Sequence, residues 1–497
     1  MLVEASVLFA SFLFYLAVQT VYRLYFHPLR KFPGPKLAAA TSAYEFYFNA
    51  LKGGKFIWEI ERLHQIYGSI VRITPSEIHI KDPNYYDEIY APFSRRREKP
   101  EKFYRQFDLD GSAFVTVSAE LHRERRAPLS KWFSKSATSD MIPMIYKCLD
   151  QLCAHLRSAS HSHKVIKIDA GFASLTSDII HGYFLGYHSD NLGKEDFNEN
   201  VRDGINGILR HSHLILFFPI IPKIVNLLPL QVLKLINPFM HAFVKQKMRV
   251  HDQVVSKLSG QRTNEGSVLE KVLDKGLPEH LRDSHRLAND AMSILTAGTE
   301  TTTRALVVGL YHIIKNNSVR ARLREELQAV IPTPQSRPTW DQLKQLPYLS
   351  SIVLETMRLA TGVTMRCPRI APTEALVYED YVIPPGTVIS QINYFVMMDP
   401  IIFPKPHVFD PERWLRAAAE GEHLERYLVN FSKGSRNCIG LNLANAEIYL
   451  TIAILIRQFD FSLYQTTDKD IAFARDFGAP YPEEGNHTMK VLVESLA

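Results

Sequence analysis

The chain is poor in cysteine, with four in 497 residues: Cys148, Cys153, Cys367 and Cys438. Their spacing gives no disulfide framework, which excludes a stapled secreted scaffold and suits a reducing compartment. Cys148 and Cys153 lie on an amphipathic stretch and read as packing residues. Long glycine- or serine-rich linkers, low-complexity blocks and internal repeats are missing too, so neither tethered modules nor a solenoid is expected. Charge of one sign is scarce: the formal net charge is +6, and no basic stretch is interleaved with aromatics. That argues for no nucleic acid among the partners. Charged residues are 22% and apolar ones 46% of the chain, ordinary usage for one large globular domain.

Charge is absent altogether from Ala5 to Tyr22, a run rich in Leu, Phe, Val and Ala. As a helix it rises ~27 Å, about one hydrocarbon core. Arg23, Arg30 and Lys31 follow it, while only Glu4 precedes. The positive side stays cytoplasmic, so the rest of the chain should face the cytosol. A cleaved signal peptide would need a basic start and a small-x-small site, and this end has neither in good form. The prolines of Phe32-Pro33-Gly34-Pro35 then stiffen the connection. The expected organisation is a membrane anchor at 1–26, a proline-rich hinge at 27–36 and one domain at 37–497. The sequons at Asn316, Asn430 and Asn486 should stay unmodified with this topology.

Further on, Ile70–Ile73 and Glu77–Ile80 read as a hairpin around Thr74-Pro75-Ser76. Apolar periodicity predicts helices over Leu287–Lys315, Arg320–Val330, Leu349–Leu359 and Ile448–Phe459. Strand-like pieces recur at Ala375–Tyr378, Tyr381–Ile383 and Val388–Gln391. The expected class is mainly α with a minor, segregated β part.

The most informative residue is Cys438, in Phe431-Ser432-Lys433-Gly434-Ser435-Arg436-Asn437-Cys438-Ile439-Gly440, or F-x-x-G-x-R-x-C-x-G. A thiolate is a soft ligand that suits iron. Gly434 and Gly440 let backbone approach a flat ligand, and Arg436 is a cation placed to hold an acidic cofactor group. The chain turns helical at Leu441, and a helix start lowers the pKa of a nearby thiol. The run resembles the haem-binding loop of the cytochrome P-450 family at every position of its motif. The resemblance implies haem b with Cys438 as axial thiolate, and a thiolate that pushes electron density toward O–O cleavage.

Other motifs match in order. Ala297-Gly298-Thr299-Glu300-Thr301-Thr302 lies inside the long predicted helix. A glycine there costs about 1 kcal/mol against alanine, so something should compensate. In the family this sequence forms a kink over the haem, where hydroxyls take up freed carbonyls. Carried over, Glu300 is the acid of a proton relay and Thr301 the hydroxyl that hydrogen-bonds oxygen species. Glu355-Thr356-Met357-Arg358 is E-x-x-R, and Phe409-Asp410-Pro411-Glu412-Arg413-Trp414 resembles the family's P-E-R-F/W element. Glu355, Arg358 and Arg413 are thus assigned to a buried cluster that positions the Cys loop. The haem propionates need cations: His122 and Arg126, at i,i+4 on one helix face, with Arg369 and Arg436. His122 stands where many members carry Trp, and it is titratable.

The hinge and anchor look like fungal microsomal members, including trichodiene-oxygenase-like enzymes of secondary metabolism. Met398 before Asp399-Pro400 departs from the His often found in fungal relatives. The resemblance implies an NADPH- and O2-dependent monooxygenase in the endoplasmic reticulum membrane, single-pass and facing the cytosol. Its electron donor would be NADPH-cytochrome P-450 reductase, steered by a basic face of Arg123, Arg125, Lys131 and Lys433 or left to a solvated surface that does no steering. The substrate would be a lipophilic small molecule, a terpenoid first, a polyketide or alkaloid next. Segments Phe103–Phe114 and Leu214–Ile236, with Val363, Thr364, Met365 and Phe477, would line its pocket. The second segment is either a membrane-touching entrance or buried core. The rival classes are a redox-partner-independent haem-thiolate isomerase or dehydratase, and a haem sensor or carrier. The Glu300-Thr301 pair argues against both.

Overall fold

The computed structural model describes residues 2–187, 189–261, 266–483 and 488–496. Its first helix, Leu2–Val21, runs on into a wider helical turn at Tyr22–Phe26. The apolar side chains of this helix are exposed, as suits a bilayer rather than a core. Glu4–Phe26 is the one helix among the described residues long and apolar enough to cross a membrane. The hinge that follows is fastened down. Arg72 donates to the carbonyls of Arg23 and Leu29 at 3.0 and 3.5 Å, and its own N–H donates to Pro33 O at 2.7 Å. Leu29 and Phe32 are buried against the first sheet.

That sheet has four strands. Ile70–Arg72 pairs antiparallel with Glu77–Ile80, as the predicted hairpin requires, in the register Ile70 to Ile80. Glu77–Ile80 runs parallel to Val388–Ser390, which pairs antiparallel with Arg369–Ile370. Leu376–Tyr378 and Tyr381–Ile383 form a separate hairpin. Near the C-terminus, Lys490–Ser495 lies between Ile166–Lys167 and Phe459–Leu463, and Arg475–Asp476 pairs with Pro480–Tyr481. The strands sit at the margins of a helical body, so the class is mainly α with a segregated β part.

The helical body is built round Ser284–Lys315, an unbroken α-helix of 32 residues. Asp283 caps its start, accepting from Arg286 N–H at 2.7 Å. At its end Asn316 caps the next helix, Asn317–Gln328, accepting from Val319 N–H at 3.2 Å. Four helices pack on the central one: Ile168–Leu185, Pro238–Leu258, Pro347–Ala360 and Leu441–Gln458. The last was expected as a start at Leu441 and a separate run from Ile448; both belong to one helix. Cys148 and Cys153 are buried on Ile142–Ser162 and pack in the main core. Of the sequons, Asn316 is this cap, and Asn430 donates its amide to Met357 O at 2.7 Å. Asn486 lies outside the described residues.

Candidate active site

The Cys438 loop is held at both ends. Cys438 N–H donates to Phe431 O at 2.8 Å and Ser435 N–H to Ala91 O at 3.2 Å. Gly434 has φ +69°, and a Cβ there would lie 2.2 Å from the carbonyl oxygens of Tyr90 and Ala91, so only glycine fits. Phe431 packs against the main core. Gly440 caps the Leu441–Gln458 helix, and its own Cβ position lies 3.9 Å from Cys438 Sγ. Cys438 is reachable at its surface yet ringed by protein. Burial therefore pushes its thiol up, and Gly440 N–H and Arg126 pull it back down.

The four predicted propionate partners converge beside this loop, and a fifth group joins them. Arg126 reaches Asn437, donating to its backbone and side-chain oxygens at 2.5 and 2.8 Å. Arg436 donates to the carbonyls of Thr116, Val117 and Ser118 at 2.7, 2.7 and 3.0 Å. Those residues lead into the Ala119–Ser130 helix that carries His122 and Arg126. Arg369 donates to Tyr104 OH at 3.0 Å and to Pro368 O at 3.0 Å. Lys99 is buried, donates to Phe114 O, and sits over the rings of Tyr104 and Phe114. Burial pushes the Lys99 ammonium well down, and the neighbouring Arg369, Arg436 and Arg126 push the same way. His122 is held neutral, its pKa lowered to about 2 by burial and then by Arg436, Lys99, Arg126 and Arg369. No carboxylate among the described residues pairs with any of the five. Buried cations left so are stable only beside an anion. A dianionic flat ligand with two carboxylates, seated on a thiolate, fits this donor set, so these residues fit haem.

Glu355, Arg358 and Arg413 meet as expected. Arg358 holds Glu355 with two bonds of 2.9 and 2.8 Å, and Arg413 adds one of 3.1 Å. Trp414 Nε1–H and Asp410 N–H complete the carboxylate at 3.0 and 2.9 Å. Glu355 and Arg358 are 0% exposed, so this is a fully paired interior charge cluster rather than a surface bridge. Arg358 and Arg413 also bind carbonyls of Met397, Pro404 and Pro406. The cluster thereby fixes the segment that runs on to the Cys loop, and Asn430 ties that segment to the Pro347–Ala360 helix.

In the central helix, Gly298 is compensated by packing: a Cβ there would press to 3.2 Å from Ile180 Cγ1. The expected kink is not a break, since the helix is continuous. Thr299 and Thr301 hydroxyls instead donate to the carbonyls of Leu295 and Ala297 at 2.8 and 2.9 Å, adding a second bond at each. Glu300 is buried and turned to Arg202, whose Nε–H donates to Oε2 at 2.8 Å while Nη2 pairs with Oε1. Arg202 was not visible as a site residue: it lies nearly a hundred positions away with no motif round it. Lys99 carries no motif either, and its one signal was a lysine next to Pro100 ahead of an aromatic run.

On the substrate side, Leu214–Ile236 is divided: Ile215 and Leu233 join the main core, while much of the rest is exposed. Its short helices Ile221–Leu227 and Leu230–Ile236 expose Leu227 at 84% and Leu235 at 86%. Thr364 supports the wall rather than lining it, for its hydroxyl donates to Asp476 Oδ1 at 2.7 Å. The basic face is thinner than expected. Lys433 pairs with Asp87 at 2.8 Å, and Arg125 turns to Thr116 Oγ1 at 2.8 Å. Arg123 lies over the Phe93 ring and Lys131 over Trp132, where Lys271 and Lys275 join it.

The family model of cytochrome P450 matches residues 40–486. Among curated proteins, cytochrome P450 monooxygenase aflU of Aspergillus parasiticus is 40% identical over 482 residues, 97% of each chain. Conidiogenone synthase PchP450 of Penicillium rubens is 40% identical over 480 residues, 96% of each. Cytochrome P450 monooxygenase TRI4 of Fusarium sporotrichioides is 37% identical over 498 residues, 99% of this chain and 96% of its own.

Proposed function

The chain belongs to the cytochrome P450 family of haem-thiolate monooxygenases, and from that premise we propose that it oxygenates a lipophilic terpenoid, with electrons from NADPH through a membrane-bound reductase. The reading rests on one observation above all: five cationic or donor side chains with no carboxylate partner among the described residues converge beside the Cys438 loop. Haem, when bound, supplies the activation of dioxygen that inserts one oxygen atom into an unactivated C–H or C=C bond. Cys438 would ligate the iron, and Lys99, His122, Arg126, Arg369 and Arg436 would hold the propionates. Glu355, Arg358 and Arg413 keep the loop in place.

The protein's own work on the distal side is proton handling and exclusion of water. Thr301 Oγ1 donates to Ala297 O at rest and can swing that hydrogen into the site without breaking the helix, whose backbone bond survives. Glu300 has both oxygens engaged by Arg202, so it relays a proton only after that pair opens. Thr301→Ala should therefore uncouple NADPH use from product and release hydrogen peroxide, measured as the ratio of product to NADPH consumed. Fully coupled turnover in that variant would overturn the role of Thr301. The terpenoid assignment rests on relatives named conidiogenone synthase and TRI4. The exposed apolar surface at Leu227, Leu235 and Ile236 supports entry of substrate from the endoplasmic reticulum membrane, with the catalytic domain on the cytosolic side.

The test is product mass from microsomes holding this chain, a reductase and NADPH, offered terpene, polyketide and indole scaffolds. A mass gain of one oxygen, dependent on NADPH and confined to terpenes, is the expected result. A gain on polyketides alone would overturn the substrate class, and no gain on any scaffold beside a normal reduced carbon-monoxide spectrum would overturn the monooxygenase reading.

A further inference from the structure

Behind the apolar lining of the substrate side lies a narrow cleft bounded by Phe103, Leu216, Met365 and Gly478, with Asn49 and His213 at its polar end. His213 is 6% exposed and Asn49 5%. His213 Nε2 lies 2.6 Å from the backbone oxygen of Asp476. A carbonyl only accepts, so the tautomer with its proton on Nε2 fits this contact, and Nδ1 is the acceptor of that tautomer. That Nδ1 is buried and has no hydrogen-bond partner among the described residues. Asn49 donates its amide toward Glu45 Oε1 at 3.5 Å, which leaves Oδ1 as the outward acceptor, and this oxygen too is buried without a partner. Two interior acceptors thus line one cleft without a partner, since Arg366 and Gln106, which also line it, are turned to Glu45 and to Phe103 O.

The wall that aims them is rigid. Asp476 Oδ1 accepts from Thr364 Oγ1 at 2.7 Å and from Gly478 N–H at 2.8 Å, and Asp476 N–H donates to Gly54 O at 2.9 Å. The His213 ring packs beside Phe477, with centroids 5.8 Å apart. Space is short: a water-sized sphere can occupy about 10 Å³ of the cleft, room for about one small oxygen group. A bare hydrocarbon would leave both acceptors desolvated and unmatched, whereas an O–H supplies a proton to one of them.

We propose that a hydroxyl on the substrate enters this cleft and donates its single proton to His213 Nδ1 or to Asn49 Oδ1. The substrate class is then an already oxygenated lipophile, an alcohol or phenol, and an earlier oxygenation or hydration must supply it. This rests on the monooxygenase reading only in placing the cleft at the rim of the substrate chamber. The test uses haem-loaded enzyme in microsomes and matched probes: farnesol against farnesene, and cedrol against cedrene. The readout is the low-to-high-spin Soret shift, which gives Kd without turnover.

The wild type should bind each alcohol roughly ten- to a hundred-fold more tightly than its hydrocarbon. Replacing both acceptors together, His213→Phe with Asn49→Leu, should erase that preference while keeping the reduced carbon-monoxide spectrum. Equal binding of alcohol and hydrocarbon by the wild type would overturn the proposal and mean that the cleft holds only water. So would a preference that survives the loss of both acceptors. Hydrocarbon oxidised with no preference for alcohol sinks this proposal and leaves the monooxygenase reading intact. A preference for alcohols without NADPH-dependent product does the reverse.

Discussion

At Lys99 an ammonium group lies 4.2 and 4.3 Å from the centroids of the Tyr104 and Phe114 rings, buried among arginines. The two rings offset part of the lost hydration, but the repulsion from its neighbours remains until an anion arrives. Lys99→Met should therefore ease the apoprotein while weakening its hold on haem. We expect haem transfer to a scavenging apoglobin to speed up about tenfold or more, on the scale of removing one buried charge partner. A second residue-scale consequence concerns His64 and His79. His64 Nδ1–H donates to Gly68 O at 2.7 Å, and His64 Nε2, so left bare, accepts from His79 Nδ1–H at 2.7 Å. Both rings are neutral: burial lowers His64 to about 4 and His79 well below its ordinary value. Between about pH 6.5 and 4 the unfolded chain binds protons that the folded one does not, so stability falls as pH falls through that window. For His64 alone the loss is about 3 kcal/mol. The melting temperature should drop on acidification from pH 7 to 4.5, and His64→Phe should flatten that slope.

Elements decide whether those residues meet. Glu355 and Arg358 occupy one face of the Pro347–Ala360 helix, and Arg413 enters from the Glu412–Ala419 helix. Removing one member of a buried charge cluster costs several kcal/mol. Glu355→Ala or Arg358→Ala should yield little haem-loaded protein, read from the reduced carbon-monoxide spectrum per unit of polypeptide. Normal holoprotein yield would contradict the cluster's structural role. What was legible in the sequence follows the same division. The Cys438 loop, the E-x-x-R pair and the central helix were legible because their partners sit within a few residues or on one helix face. Trp414 as a donor to Glu355 was not legible, since only its place in the motif was visible. Arg202, Lys99, His213 and Asn49 were not legible, because each acquires its role from a partner far along the chain.

Among the described residues, apolar side chains stand outside the core along the first helix from Val7 to Val21 and at Phe218, Ile224, Leu227, Leu235 and Ile236. Deleting residues 1–26 should leave the folded domain but not a freely soluble one. We expect a sizeable fraction of the truncated chain to sediment with vesicles, and further substitution of Leu227 and Leu235 by Ser to release it. Complete solubility after the deletion alone would show that the patch does not touch lipid.

The bond from Arg436 to the carbonyls of Thr116–Ser118 has a consequence in time as well as space. It joins positions 320 residues apart, and the thiol lies beyond it in the sequence. At roughly 5–20 residues per second of synthesis, the segment bearing Lys99, His122 and Arg126 waits on the order of 16–64 s for its partner loop. During that interval its cations have neither loop nor ligand and gain nothing by closing. Cofactor capture is therefore placed at the end of translation, when nearly the whole chain has emerged. A nascent polypeptide stalled short of residue 438 should carry most of the clamp and retain no haem.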